Sequence, residues 1–320
     1  MQANISTILV PSRALAQVPV AHHLRGTSLN RALDAIGDWW TQRILRECFL
    51  GVRFFDAFAA RLTVPRQTLS VRLKSLVSHG ILDTSRGGYR LTASGLALYP
   101  WALMVWRWTR KWSDHAAAGQ PATLVHLDCG QPTMPVFACA ECHGRVTLRD
   151  VEIHPLPGAR AARAARASAR RGGGTRLAVG AGAAASHVAL ITADRWAHLI
   201  ISAIFLGCRS FDRLHGEVGI ATNVLAQRLA LLVETGFLDK RRAADDGRRF
   251  HYGLTDRGRD VYPLTITLVQ WADRHLPGGG KPPMRRVHRH CGATLDARVL
   301  CSHCKTELLP ARVTFAKIGD

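Results

Sequence analysis

The strongest constraint on this chain is that one block occurs in it twice. Trp196 repeats Trp40 at an offset of 156 residues. At the same offset Leu206-Gly207 repeats Leu50-Gly51, Phe211-Asp212 repeats Phe55-Asp56, Arg228-Leu229 repeats Arg72-Leu73, and Leu238-Asp239 repeats Leu82-Asp83. No gap is needed across the block. A repeat this long in a chain of 320 residues implies two copies of one folding unit rather than a solenoid, which stacks several short repeats.

Within each copy the apolar spacing gives the elements. Leu29, Leu33, Ile36 and Trp40 suggest a first helix; Trp40 to Leu50 suggests a second, ending at Gly51. Phe55, Phe58 and Leu62 share one face of a third. A fourth starts at Pro65, since proline suits a first helical position, and buries Leu69, Leu73, Leu76 and Val77. Its outward face then carries Arg66, Gln67, Thr68, Val71 and Lys74. Gly87-Gly88 is a turn pair between short strands, flanked by Arg86 and Arg90. In the second copy the offset grows from 156 to 163 by Tyr252-Gly253-Leu254-Thr255, which matches Tyr89 to Thr92. The added residues place Arg241, Arg242, Arg248 and Arg249 around Asp246-Gly247. From Trp40 to Thr92, two or three short helices followed by a two-stranded hairpin outline a winged helix-turn-helix. Such a unit places a recognition helix in a major groove and its wing on phosphates.

Each wing is followed by Leu-Thr-x-x-Gly and another helix. Trp101, Val105, Trp108 and Trp112 stripe the first such helix; Leu264, Leu268 and Trp271 stripe the second. Tyr99-Pro100 and Tyr262-Pro263 are expected to kink them. So many indoles on one helix suggest a pairing surface, either between the copies or between chains, with plain core as the alternative.

Six of eight cysteines form two matched sets. His126, Cys129, Cys139 and Cys142 make one; His288, Cys291, Cys301 and Cys304 make the other, each reading H-x-x-C-G and then C-x-x-C. Three thiolates and one imidazole at this spacing describe a zinc-ribbon-like module. A full set of four ligands implies a structural Zn rather than a catalytic one with an open position, so two structural zinc sites are expected, one per set. His290 could compete with His288, but its equivalent is Asp128, which favours His126 and His288. Cys48 and Cys208 face apolar equivalents, Ile204 and Val52, and read as inert thiols.

The fold class is therefore mainly α with small β wings, as tandem winged helix-turn-helix domains, each with a C-terminal zinc-ribbon-like module. The segments expected are a loose tail over 1–27, the first winged domain over 28–115 and the first ribbon over 122–154. An Ala/Arg/Gly-rich basic linker follows over 155–186, then the second winged domain over 187–277, whose first helix should be short or frayed, and the second ribbon over 284–316. The formal charge of +20 makes nucleic acid the leading partner. No signal peptide or membrane-spanning run is visible, so a cytoplasmic, nucleoid-associated protein is expected. No enzyme motif is present, and no constellation for a small-molecule effector stands out.

The run Ala32-Leu33-Asp34-Ala35-Ile36-Gly37-Asp38-Trp39-Trp40-Thr41, then Ile44-Leu45-Arg46-Glu47, Leu50-Gly51-x-Arg53-x-Phe55-Asp56, and Leu69-Ser70-x-Arg72-Leu73 leading into Gly80-Ile81-Leu82, resembles the HxlR-type family of bacterial transcriptional regulators. Asp194-Arg195-Trp196 to Tyr262-Pro263 resembles it again. The resemblance implies DNA binding through recognition helix and wing, and pairing through the terminal helices. Many members sense electrophiles through a cysteine near the first helix; here that stretch is Thr27-Ser28-Leu29-Asn30, with no thiol. Members usually hold one winged domain and dimerise, whereas this chain holds two.

The expected function is sequence-specific regulation of transcription on double-stranded DNA, repressor-like, by a pseudo-dimer. The expected DNA-contacting residues are Arg66, Gln67, Thr68, Val71, Arg72, Lys74, Arg86 and Arg90 in copy one, and Thr222, Asn223, Gln227, Arg228, Arg242, Arg248 and Arg249 in copy two. Arg72 and Arg228, retained in both, suit phosphate contact or packing better than base choice. The alternative is a zinc-ribbon module that binds protein or RNA.

Overall fold

The computed structural model describes residues 24, 27–85, 87–112, 123–155, 183–243, 249–277 and 284–316. Most of the expected tail and linker, together with Arg86 and Arg248 and the Asp246-Gly247 turn, lies outside the described residues. Copy one comprises α1 (Ser28–Ile36), α2 (Trp39–Phe49), α3 (Phe55–Leu62), α4 (Arg66–Ser78), the wing strands β1 (Leu82–Asp83) and β2 (Arg90–Leu91), α5 (Ala93–Leu96) and α6 (Tyr99–Trp112). Its tail holds β3 (Leu124–His126), β4 (Gln131–Thr133), β5 (Val136–Cys139) and β6 (Val151–Pro155). Copy two repeats the order with α7 (Ala183–Thr192), α8 (Arg195–Phe205), α9 (Phe211–Val218), α10 (Thr222–Glu234), β7 (Leu238–Arg242), β8 (Phe250–Leu254), α11 (Asp256–Arg259) and α12 (Tyr262–His275). Its tail holds β9 (Met284–His288), β10 (Ala297–Leu300) and β11 (Val313–Phe315).

The residues shared by the copies are those that fix each helix-turn-helix. Asp38 and Asp194 cap α2 and α8, accepting from Thr41 N at 2.9 Å and Ala197 N at 3.0 Å. The same carboxylates receive Arg72 at 2.8 Å and Arg228 at 2.7 Å, which ties the fourth helix of each unit to the start of the second. Thr92 and Thr255 cap α5 and α11, each accepting from the amide of a glycine three residues on. Those glycines are obligatory: a Cβ on Gly95 would lie 2.3 Å from the Ile81 carbonyl oxygen, and one on Gly258 2.2 Å from that of Phe237. The Leu-Thr-x-x-Gly repeat is thus a tight joint between wing and terminal helix.

Several boundaries differ from the sequence expectation. Trp40 lies in α2, because Gly37 and Asp38 end α1 and restart the helix. Pro65 caps α4 from outside rather than opening it. Gly87-Gly88 is not a two-residue turn: the first wing pairs Asp83 with Arg90, and the loop between them bends until the Tyr89 amide donates to the Arg53 carbonyl at 2.7 Å. Gly88 allows that approach at φ +69°, since its Cβ would fall 2.7 Å from the same carbonyl oxygen. Tyr99-Pro100 and Tyr262-Pro263 stand at helix starts, where proline displaces no hydrogen bond, so neither helix kinks there. Finally, α7 is a full helix of 10 residues and not a shortened one.

The terminal helices pack across the repeat, α1 on α12 and α6 on both α12 and α7. The indoles make this joint. Trp108 Nε1 donates to the Arg257 carbonyl at 3.3 Å, and its equivalent Trp271, 163 residues on, donates to the Ser94 carbonyl at 2.9 Å. Trp108 also stacks on Phe237 at 5.4 Å. The Trp-rich face therefore pairs the two copies within the chain.

The tails exchange strands. In β5–β10, Val136 faces Leu300 and Ala138 faces Arg298, which is the same pair twice at an offset of 162, with Phe137 and its equivalent Val299 opposed at the centre. The same operation relates β3–β11, where Val313 faces His126, to β6–β9, where Val151 faces His288. Such self-complementary pairing is the signature of a two-fold interface, here between parts of one polypeptide.

Candidate nucleic-acid interface and metal centres

The exchanged strands bring together the candidate metal ligands, and the grouping differs from one set per tail. One cluster is His126, Cys129, Cys301 and Cys304; the other is Cys139, Cys142, His288 and Cys291. Each joins the H-x-x-C of one tail to the C-x-x-C of the other. The reason lies in the strand path. From Gln131 to Cys139 the chain runs through β4 and β5; β4 pairs with β3 of its own tail, but β5 pairs with β10 of the other. Nine residues can span up to about 30 Å, and the pairing of β5 with β10 sets Cys139 opposite Ala297 of the other tail. Sequence spacing picks out the eight residues that the structure gathers into these two clusters, but it cannot reveal this crossing.

The donors suit a tetrahedral ion. His126 Nδ1 lies 3.4 Å from Cys129 Sγ and 3.2 Å from Cys304 Sγ, and Cys129 Sγ lies 3.8 Å from Cys301 Sγ. In the second cluster His288 Nδ1 is 3.3 Å from Cys291 Sγ and 3.4 Å from Cys142 Sγ, and Cys139 Sγ is 3.8 Å from Cys291 Sγ. A tetrahedral Zn with Zn–S of about 2.3 Å has sulfur–sulfur edges of about 3.8 Å. Both sets could hold a metal ion. Behind His126, the Asp128 carboxylate stands 3.3 Å from Nε2 and is held by Arg312 of the other tail at 2.7 Å. A carboxylate on that side of the ring leaves Nδ1, which faces the three sulfurs, as the nitrogen available to a metal. In the second tail His290 occupies the Asp128 position, 6.1 Å from the His288 ring. The Thr306 hydroxyl, 3.0 Å from Cys304 Sγ, holds that thiol down to about 6 and favours the thiolate a metal requires.

The two thiols outside the clusters are of another kind. Burial pushes the Cys48 thiol up to about 12 and raises that of Cys208 as well. A thiol so protected from ionisation is a poor nucleophile and fits inert packing.

On the recognition helices, Gln67, Val71 and Lys74 of α4 are exposed, as are Thr222, Asn223 and Gln227 of α10; Thr68 is half-buried. Val71 is 54% exposed although apolar, while its equivalent in α10 is Gln227. Arg66 is exposed but pairs with Asp56 at 2.9 Å and lies over the Phe55 ring at 4.8 Å, so its guanidinium sits at the start of α3. Arg72 and Arg228 are drawn inward by their ion pairs and position the helices rather than presenting free charge. On the wings Arg90 is half-buried, whereas Arg242 and Arg249 are exposed at the outer end of the longer β7–β8 hairpin. Arg241 pairs with Asp239 at 2.6 Å.

The family model for HxlR-like helix-turn-helix proteins matches residues 35–117 and 191–279, together more than half of the chain. This chain belongs to the HxlR-like helix-turn-helix family. Over 124 residues it is 37% identical to the uncharacterized HTH-type transcriptional regulator Rv3095 of Mycobacterium tuberculosis, a match that covers 39% of this chain and 78% of that protein. Over 85 residues it is 31% identical to the uncharacterized HTH-type transcriptional regulator YtfH of Escherichia coli, covering 26% of this chain and 68% of YtfH. Among solved structures, PA1607, determined as a candidate transcription factor, is 27% identical and overlaps 43% of this chain and 96% of its own at a TM-score of 0.38. The HxlR-like assignment rests on the family match, which falls once on each copy. Among the described residues no helix is long and apolar enough to cross a membrane.

Proposed function

We propose that this HxlR-like protein is a sequence-specific DNA-binding transcriptional regulator that carries both halves of a dimer in one polypeptide. The observation behind this reading is the pair of unequal recognition helices on units joined through their terminal helices and tails. Copy one offers Gln67, Val71 and Lys74 where copy two offers Asn223, Gln227 and Ala230. Gln and Asn suit bidentate contact with adenine, Lys suits guanine, and Val71 suits a thymine methyl. Two such helices address two unlike half-sites, about one helical turn apart. Arg242 and Arg249 on the longer wing add phosphate contacts to the second half-site. Binding is expected to weaken with salt, at a slope of about −0.9 per phosphate neutralised.

Both metal clusters supply four protein donors, three sulfurs and one nitrogen, which leaves no position for a reacting water. We therefore read the metals as structural Zn. His126, Cys129, Cys301 and Cys304 would hold one ion and Cys139, Cys142, His288 and Cys291 the other.

Selection of bound sequences from a random duplex pool, with purified zinc-loaded protein, tests the regulator reading. The expected product is one site with two different halves. Gln67→Ala is then expected to relax preference in one half alone, costing about 1–3 kcal/mol of discrimination there, and Asn223→Ala in the other. A strict palindrome, or enrichment of nothing, overturns the reading.

A further inference from the structure

A cleft of about 290 Å³ lies between the two copies. Its walls are α6 of copy one, the segment 145–149 of the first tail, and α11 with the start of α12 of copy two. Met104, Val146 and Leu264 give it an apolar floor. Around that floor stand five cations, Arg107, Lys111, Arg145, Arg149 and Arg259, against two carboxylates.

Both carboxylates are already engaged. Asp260 accepts from Lys111 at 2.6 Å and from Trp112 Nε1 at 2.8 Å; Asp256 accepts from Arg259 at 2.7 Å. Among the described residues, no salt bridge or hydrogen bond engages the side chain of Arg107, Arg145 or Arg149. Three guanidinium groups therefore line an apolar floor without a direct ion pair or hydrogen bond, and Asp260 and Asp256 act on Arg107 and Arg149 only through charge at longer range. Burial, and then the charge of Arg145, hold the half-buried Arg107 below the ordinary arginine range, only partly offset by Asp260.

The internal repeat supplies a control. The equivalents of Arg107, Arg145 and Arg149 are Gln270, Glu307 and Ala311. In that half Gln270 and Arg274 both bond Asp296, at 2.8 and 2.6 Å, and Trp101 stands where the cleft has Leu264. The fold does not need the three arginines, since the same elements close without them. They belong to one side of the duplicated structure only.

We propose that this cleft binds a small organic anion with a compact apolar body, seated between the two copies with its acid group on Arg107 and Arg145. A carboxylate or sulfonate on an aromatic ring has that chemistry: the ring covers Met104 and Leu264, and the acid takes charge-assisted hydrogen bonds from the guanidinium groups. An occupant touches α6 of one copy and α11 and α12 of the other, so it bridges the halves. This inference is independent of whether the recognition helices read DNA.

The test is calorimetric titration of the full-length, zinc-loaded chain with 1-naphthoate, set beside the uncharged 1-naphthalenemethanol at constant ionic strength. One site per chain is expected, with the acid bound about tenfold or more tighter than the alcohol. Arg107→Gln with Arg145→Glu installs the residues of the other half, and is expected to weaken 1-naphthoate by a further factor of about ten while the melting temperature holds. Arg149→Ala, at an exposed position, is expected to weaken it several-fold and serves if the double variant melts early. Equal binding of acid and alcohol, or unchanged affinity in these variants, overturns the proposal. So does a double variant that keeps 1-naphthoate and loses affinity for duplex DNA, which would assign the arginines to phosphate.

Discussion

Because each metal cluster joins both tails, paired ligand mutations separate the crossed arrangement from one ribbon per tail. Cys129→Ala with Cys304→Ala removes two ligands from a single crossed cluster and leaves Cys139, Cys142, His288 and Cys291 whole. Cys129→Ala with Cys142→Ala removes two ligands from one tail, but takes one from each crossed cluster. A four-ligand structural zinc site is worth about 10–16 kcal/mol, so an average ligand contributes about 2.5–4 kcal/mol, roughly a hundredfold to several hundredfold in affinity. Measured by mass spectrometry after dialysis against a moderate chelator, the first variant should retain one zinc per chain. The second should retain almost none. Pairing within each tail demands the reverse, one zinc for Cys129→Ala/Cys142→Ala and almost none for Cys129→Ala/Cys304→Ala. That outcome would refute the strand exchange as well as the ligand grouping.

Arg228→Ala leaves a nearly buried Asp194 carboxylate without its cation and is expected to cost about 3 kcal/mol in denaturant melts. Arg72→Ala, whose pair is much more exposed, should cost about 1 kcal/mol or less, and equal losses would contradict the burial difference. His198 is fully buried as a neutral ring between the Ile191 carbonyl and the Thr265 hydroxyl, and burial lowers it to about 4 from 6.5. The unfolded chain then binds the extra proton, so stability is lost as pH falls from 6.5 towards 4, at up to about 1.4 kcal/mol per pH unit. His198→Gln, which installs the residue found at the equivalent Gln42, should flatten that slope relative to wild type; parallel slopes would exclude His198 as the titrating group. Gly216 lies inside α9 with no atom within 4 Å of a built Cβ, and its equivalent is Ala60. Gly216→Ala should therefore raise stability by about 0.5–1 kcal/mol, whereas Gly95→Ala, forced against the Ile81 carbonyl, should lower it by about 1–3 kcal/mol; thermal melts of both read the contrast.

Features set by local periodicity or by residues repeated at a fixed offset are legible in the chain. The core leucines of α4 and α10, the wings and all eight candidate metal ligands are short-range patterns, and duplication shows each of them twice. The wing turn at Gly87-Gly88 departs from the sequence expectation, since glycine pairs favour tight hairpins in general. Here the loop answers instead to the Arg53 carbonyl, which is distant in sequence. Arg72 and Arg228 carried no sign of whether they face DNA or Asp38 and Asp194, since a guanidinium serves both equally well. The cationic cleft was invisible because its arginines come from separate segments, around 107 and 145–149, and meet only when α6 and the first tail close on α11.

The sequence by itself determined the unit, its duplication, the chemistry of the metal donors and the inequality of the two recognition faces. These depend on residue identity and on spacings of a few residues, where backbone geometry leaves little choice. Tertiary structure alone decided which C-x-x-C meets which H-x-x-C, and that the tryptophan stripes join one copy to the other. Two copies of one motif present identical local options, pairing within a copy or across to its equivalent. Only the pairing of β5 with β10 rather than with its own tail, and the packing of α6 on α12, selects between them.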